Sequence, residues 1–471
     1  MDKSIIRIAE PSIGQIEYLK YLQAMSVVQK PTFMLVELEL PATDVSGIER
    51  TVAFFLERHE SLRTVFPVIG GEIRQMVLPA TDKRFQLEYV DVTSVDDRDL
   101  FDSRKEHFEK AAAVFADIEN GPLVKLLLFR RGNGYRFSLL LHHIICDEWS
   151  RAIARQELIV IYQSFSAGEE PALEPLAVTL KDYCEQQNKW LYRNKQELTD
   201  FWRSRLQGFD QAFDINGFRK MYARRRNSIL PERGVRHMPG DAELSAILDR
   251  PDASAYTCIL SGAFFREVKS AAAGNNHVLS TFIYTSFILF LAIYTGKKKI
   301  LVPALIADRY LPDHRQLIGC LLGSLYLPVT IREHSTIRDL TEEIDGEMAD
   351  VIGNKRLIFS HNFLQLPGDR LRNCCDMYIN YFNRQTELSA DRYSVGQHEE
   401  ADAIHYPIYA MVMEYDDALV FIWKYNKYLF TPAMIEDMVV CYREVLRYMV
   451  SDADKPVREM VENCRVDALA L

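Results

Sequence analysis

Apolar positions along this chain fall into two kinds of pattern, and their order predicts its elements. Gly121–His143, GPLVKLLLFRRGNGYRFSLLLHH, predicts two strands around a turn at Arg131–Gly134. The second strand is apolar on both faces and therefore belongs inside a sheet. Trp149–Phe165 places apolar residues at 158, 161, 162 and 165, the stripe of an amphipathic helix. The pattern then stops at Ser166–Val178, SAGEEPALEPLAV, where three acidic residues and two prolines read as an interdomain linker. A charged helix is expected over Asp182–Leu206. From Tyr256 onward strand and helix patterns alternate: a strand at Cys258–Leu260, a helix at 278–295 and a strand at Ile300–Ile306. Further strands are expected near Asp376–Tyr381 and Ala418–Tyr425, with a last helix at Pro432–Tyr448. The class is α/β, divided into an N-terminal lobe over 1–170, a linker over 171–180 and a C-terminal lobe over 181–471.

Two segments need a decision. Val278–Thr295, VLSTFIYTSFILFLAIYT, is uncharged and long enough to cross a bilayer. Ser280, Thr281, Thr285 and Ser286 give its first half a polar stripe, so we read it as a buried core helix and expect no membrane span. Arg219–Arg236, RKMYARRRNSILPERGVR, reads as a solvated loop, with docking of an acidic partner as the alternative.

Composition narrows the picture. The 471 residues are 48% hydrophobic and 26% charged with a net charge of −10, ordinary for a globular chain and unsuited to extensive disorder. The acidic balance argues against broad nucleic-acid binding, which needs a basic face. The first residues, MDKSIIRIAEPSIGQ, carry no apolar core of a secretory signal. The eight cysteines are scattered, with only Cys374 and Cys375 adjacent, which fits free thiols and a cytoplasmic location.

The candidate chemistry lies in Leu141–Ser150, LHHIICDEWS. Adjacent strand residues point to opposite faces, so His142 and His143 cannot share a role. One can face a cavity as a general base while the other faces packing. Asp147, after a short turn, can return to hold the strand end. A metal site lacks a third ligand at a recognisable spacing. A serine hydrolase lacks its GxSxG elbow.

At these residues the sequence resembles the condensation domains of nonribosomal peptide synthetases, within the chloramphenicol-acetyltransferase-like acyltransferases. Their HHxxxDG signature corresponds to His142, His143 and Asp147. Ser12–Gln15 (SIGQ) is similar to a worn SxAQ motif, and Arg58–Phe66 (RHESLRTVF) matches RHExLRTxF at every fixed position. Asp182–Tyr183 and Phe201–Leu206 resemble the DYxxWQ and YWxxxL helix. Leu317–Leu327 (LIGCLLGSLYL) resembles the IGxFVNTLxL latch, with Asp308–Arg309 in place of a Gly-Arg pair.

The resemblance implies two acetyltransferase-like lobes in a V-shaped pseudo-dimer with a central substrate tunnel. It implies transfer of an acyl group from the phosphopantetheine thioester of an acyl or peptidyl carrier protein to an amine or alcohol, in nonribosomal peptide or hybrid polyketide synthesis. His143 would be catalytic, either deprotonating the nucleophile or holding it against the thioester. Asp147 would pair with Arg309 across the lobes, Arg63 would be a second structural arginine, and His142 would pack behind the motif. No bound cofactor or metal is implied.

Three departures stand out. Glu148 replaces the family glycine and, with Trp149, could line the tunnel. Gly323–Ser324 replaces an Asn-Thr pair on the acceptor side. No adenylation or carrier signature is present, so the carrier is expected in trans and the acceptor to be a small or carrier-bound molecule. The alternatives are a coenzyme-A-dependent acyltransferase of the wax-ester-synthase type and a non-catalytic recruitment domain. Retention of both histidines and Asp147 favours catalysis, and the absence of DFGWG disfavours plant-type acyltransferases.

Overall fold

The computed structural model describes residues 7–24, 33–41, 45–95, 100–132, 134–209, 211, 213–226, 246–247, 252–274, 277–332, 334–368, 371, 374–385, 395–401, 404 and 406–460. The chain divides into two compact units. The first is 1–195 together with 307–323; the second is 196–306 together with 324–471.

In the first unit, β1 (Arg7–Ala9) leads into α1 (Ile13–Ala24), then β2 (Phe33–Pro41), α2 (Val45–Arg58), β3 (Thr64–Val65) and β4 (Gln75–Val77). There follow β5 (Leu87–Asp91), α3 (Leu100–Ala112), β6 (Val124–Arg131), β7 (Gly134–His142) and α4 (Glu148–Ser166). The main described sheet runs β2-β7-β6-β5, antiparallel except for the parallel β5–β6 edge. Its centre explains the doubly apolar strand. Leu139 and Leu141 join a core with Phe55 of α2 and Leu158 of α4, while Leu140 faces the opposite way into a core with Phe108 of α3 and Phe115. Helices thus cover both faces, as a strand without polar alternation requires.

α1 starts where the sequence supplies a reciprocal cap. Ser12 Oγ accepts from Gln15 N (3.1 Å) and Gln15 Oε1 accepts from Ser12 N (2.9 Å). The SIGQ segment is therefore a helix-start device. It sets the α1 face on which Tyr18 meets both histidine rings.

α5 (Leu180–Leu206) carries the chain onward, and the division into units falls within it, after Lys195. The acidic, proline-containing stretch between α4 and α5 has both flanks in the first unit, so it lies inside that unit. This differs from the expected division at 171–180.

The second unit holds α6 (Ile215–Arg225), β8 (Ala253–Ser261), α7 (Gly262–Gly274), α8 (Leu279–Thr295), β9 (Lys299–Ala307), β10 (Leu322–Thr330) and α9 (Ile337–Gly353). It ends with β11 (Tyr378–Gln385), β12 (His398–Ala401), β13 (Ile408–Tyr415), β14 (Ala418–Asn426) and α10 (Pro432–Ser451). Its described sheet runs β10-β9-β11-β13-β14-β8-β12, with β9, β11 and β13 parallel.

The uncharged segment is the central helix of this unit. Thr281 to Tyr294 of α8 are all buried, and Phe287 stacks on Tyr442 of α10 at 4.3 Å. The polar stripe is satisfied inside: Thr281 Oγ1 donates to Asp345 (2.8 Å), Thr285 Oγ1 to Thr281 O (2.9 Å), and Ser286 Oγ lies 2.8 Å from Tyr442 Oη. No single described helix is long and apolar enough to cross a membrane. Of the basic stretch, 219–225 is helical rather than loop. Arg225 is buried against Asp437 and Glu444, so that charge serves the core. Residues 227–236 lie outside the described residues.

Candidate active site

β7 ends at His142, and strand parity decides where that ring goes. It follows Leu140 onto the α3 side, where the Phe115 ring meets it edge-on at 5.8 Å. Its backbone amide bonds to Leu123 O (2.9 Å), and its Nδ1 accepts from Ile144 N (3.0 Å), closing a one-turn 3₁₀ segment over 143–145. An accepting Nδ1 places the ring hydrogen on Nε2. Burial, followed by the neighbouring His143, pulls the pKa down to about 3.

That shift has a stability consequence. The unfolded ring titrates near 6.5, so between the two values the unfolded chain binds the extra proton. The stabilisation is complete above about pH 6.5 and is lost as the pH falls toward about 3. We expect the unfolding free energy to drop by up to about 1.4 kcal/mol per pH unit in this window through His142. Urea titrations at about pH 7.5 and about pH 5 check this, with His142→Asn flattening the slope. An unchanged slope in that variant contradicts the assignment.

His143 leaves the strand and opens the 3₁₀ turn, half-buried where His142 is buried. The Tyr18 ring lies 6.2 Å away, and Cys320 Sγ approaches Nδ1 at 3.9 Å. Its Nε2 has no hydrogen-bond partner among the described residues. An imidazole with one nitrogen occupied and the other open can hold or move a proton at that open atom.

Asp147 does not turn back to the strand end. It caps α4, accepting from Ser150 N and Ser150 Oγ (2.7 Å each), and its other oxygen accepts from Leu321 N (3.1 Å). Arg309 Nη2 lies 2.9 and 3.1 Å from the two carboxylate oxygens, and both side chains are almost fully buried. Arg309 also donates to His314 O (2.9 Å), Leu317 O (2.8 Å) and Ser150 Oγ (2.8 Å), so one guanidinium gathers a whole loop. Both ion-pair partners belong to the first unit, because 307–323 is counted with 1–195. The pair therefore closes within one unit, not across two lobes as the resemblance implied.

Ser150 and Gly319 complete this clamp; Gly319 was marked as the matching glycine of the latch segment, but nothing in the sequence tied it to Ser150. Ser150 Oγ accepts from Gly319 N at 3.0 Å. A Cβ on Gly319 would sit 2.5 Å from Leu321 Cδ1 and 2.9 Å from Leu180 Cδ1, both buried. Gly319→Ala is expected to destabilise the protein by about 1–3 kcal/mol through overpacking. A lowered urea midpoint checks this; an unchanged midpoint contradicts it.

The remaining candidate residues sort by contact. Glu148 occupies the first helical position of α4, a conformation that needs no glycine, and its carboxylate is held by Arg151 (Nε at 2.8 Å). Trp149 is exposed, donates Nε1–H to Arg315 O (3.0 Å) and lies against the Arg309 guanidinium at 5.7 Å, bracing the 309–315 loop. Arg63 donates from Nε to Leu56 O (2.7 Å) and from its other nitrogens to Glu57 O and Leu78 O, tying the end of α2 to the chain beyond β4. Burial lowers its pKa. In the same motif Arg58 and His59 both bind Glu157 of α4 (Nε 2.9 Å, Nε2 2.7 Å), so RHESLRTVF is scaffold for α4.

Gly323 is buried in β10, and Ser324, counted with the second unit, exchanges backbone bonds with Ile358. Asp308 accepts from Tyr183 Oη (2.8 Å) and Gln187 Nε2 (3.1 Å), fixing the residue before Arg309. Among the described residues no group of histidine, cysteine and acidic side chains could hold a metal ion. A cavity of ≈ 600 Å³ in the second unit, bordered by Phe209 and Leu366, is lined by Arg203, Ser204 and Leu206 of the FWRSRL segment and by no residue of LHHIICDEWS or LIGCLLGSLYL.

Comparison with known proteins places the family and the fold. The profile of the condensation domain matches residues 22–463. One of the linear gramicidin synthase proteins of Brevibacillus parabrevis is 26% identical over 432 residues, which cover 88% of this chain and 5% of that protein. The chain thus spans a small fraction of this curated relative. The X-domain from teicoplanin biosynthesis superposes with a TM-score of 0.71 at 18% identity, covering 95% of this chain and 96% of that one. An X-domain from the same pathway has also been solved in complex with OxyB. A condensation domain that mediates chain release from the enacyloxin polyketide synthase gives 0.70 at 17% identity, covering 95% and 83%. The fold is that of condensation domains.

Proposed function

Because the chain belongs to the condensation-domain family, we propose that it forms an amide or ester by moving an acyl group from a carrier-protein phosphopantetheine thioester to an amine or alcohol. The observation that carries this reading is His143, half-buried beside the Asp147–Arg309 clamp with Nε2 open among the described residues.

The chemistry balances without a further reagent. The acceptor's nitrogen or oxygen attacks the thioester carbonyl carbon, the carbon–sulfur bond breaks, and the acceptor's proton ends on the departing thiol. What the protein must supply is position, and one group that stabilises charge or carries the proton at the reacting atoms. His143 is that group. Asp147, Arg309 and Ser150 act at one remove, by fixing the start of α4 and the 317–321 loop beside it.

A second reading is recruitment without turnover, favoured by the similar X-domain that is seen bound to OxyB. Coenzyme-A dependence is a third. One comparison separates all three: the same acyl group is offered on a carrier protein and on coenzyme A, with a panel of amines and alcohols. A higher kcat/KM for the carrier-borne donor is expected. Preference for the coenzyme-A thioester overturns the carrier reading. Tight carrier binding with no product from any acceptor supports recruitment instead.

A further inference from the structure

We infer that Cys320 is the positioning residue of His143: its S–H donates to Nδ1, so the neutral ring carries its hydrogen on Nε2. The inference rests on His143 being the group that works on the substrate, and it specifies how. An imidazole in this form meets the reaction as a hydrogen-bond donor. It is poised to hold the oxygen that gains negative charge when the thioester carbonyl is attacked, rather than to take the acceptor's proton at Nε2.

The sulfur sits where it does because both flanking residues are pinned. Gly319 N donates to Ser150 Oγ (3.0 Å) and Leu321 N donates to Asp147 Oδ2 (3.1 Å). Leu321 O in turn accepts from Asp308 N (2.7 Å). Cys320 is the one residue between two anchors on the start of α4. Its Sγ is thereby delivered to 3.9 Å from Nδ1. This also gives the Asp147–Arg309 pair a route to the imidazole through the loop it clamps.

The direction of the hydrogen bond follows from the partners. Burial, reinforced by the Asp147 charge, pushes the Cys320 thiol up to about 12, so it keeps its hydrogen near neutral pH. A thiol is a weak acceptor and an imidazole nitrogen a good one, so the S–H hydrogen goes to Nδ1.

The test uses the full chain labelled with ¹⁵N-histidine, with His143 assigned by loss of its signals in His143→Ala. At neutral pH the wild type should show a protonated Nε2 and an unprotonated Nδ1. Cys320→Ala should shift that balance, and Cys320→Ser, which keeps a donor, should restore it. In turnover Cys320→Ala should lower kcat by about twofold to tenfold with KM unchanged, the scale of one hydrogen bond. Hydrogen on Nδ1 in the wild type, or an identical tautomer balance in Cys320→Ala, overturns the inference. The spectra need no substrate, so a protein inactive with every donor would defeat the catalytic reading while the tautomer result still decides this one.

Discussion

Replacing His143 with alanine is expected to lower acyl transfer by about two to four orders of magnitude, the range a positioned acid–base or donor group contributes. Folding should hardly change. The ring is half-buried, its described polar contact is the long one to Cys320, and its removal strands no buried charge. Steady-state rates with saturating acceptor, beside a thermal melt of the same preparation, check both halves. A fully active variant contradicts the assignment of His143. An inactive variant with a much lower melting temperature makes the residue a structural one.

Asp147→Ala and Arg309→Ala should behave in the opposite order, losing stability first. Each removes one partner of an ion pair whose side chains are 1–2% exposed, leaving the other charge buried and uncompensated. Losses of about 3–5 kcal/mol are typical of that event. Asp147→Ala also strips the cap of α4, worth about 0.5–2 kcal/mol. Arg309→Ala leaves the carbonyls of His314 and Leu317 without their guanidinium donor. The double variant should be less destabilised than the sum of the two, because the second change removes the charge that the first one stranded. Urea unfolding of the four proteins measures the cycle. Additive losses, or single losses below about 1 kcal/mol, contradict a coupled buried pair.

Much of the secondary structure was legible because period and punctuation agree in this chain. The doubly apolar run at Phe137–Leu141 is a strand covered on both faces, and the stripe over Leu158–Phe165 is the inner face of α4. The uncharged run at 278–295 was legible as core from the polar stripe in its first half, and Thr281, Thr285 and Ser286 of that stripe find partners inside. The division into units was not legible. An exposed, acidic, proline-containing stretch reads the same whether it joins two units or lies inside one. No local pattern announces that 307–323 belongs with the first part of the chain.

The site shows the same limit. His142, His143 and Asp147 are neighbours in sequence, so strand parity and helix capping could be reasoned about directly. Arg309 is 162 residues from Asp147, a separation across which no spacing rule operates, and only the resemblance pointed to it. Ser150 and Cys320 carried no sequence signal because their roles come from a loop folding back onto the start of α4. Glu148 looked like a disturbance only against the family glycine. At the first position of a helix, with Arg151 one turn on, it is an ordinary residue.

The most direct measurement follows the donor itself. An acyl-loaded carrier protein is mixed with one equivalent of the full chain and an amine or alcohol acceptor, and the carrier's intact mass is read over time. The account predicts loss of the acyl mass, return of the free phosphopantetheine thiol and one amide or ester formed per acyl group lost, all suppressed by His143→Ala. An acyl carrier that keeps its mass with every acceptor, or loses it equally fast with His143→Ala, contradicts it.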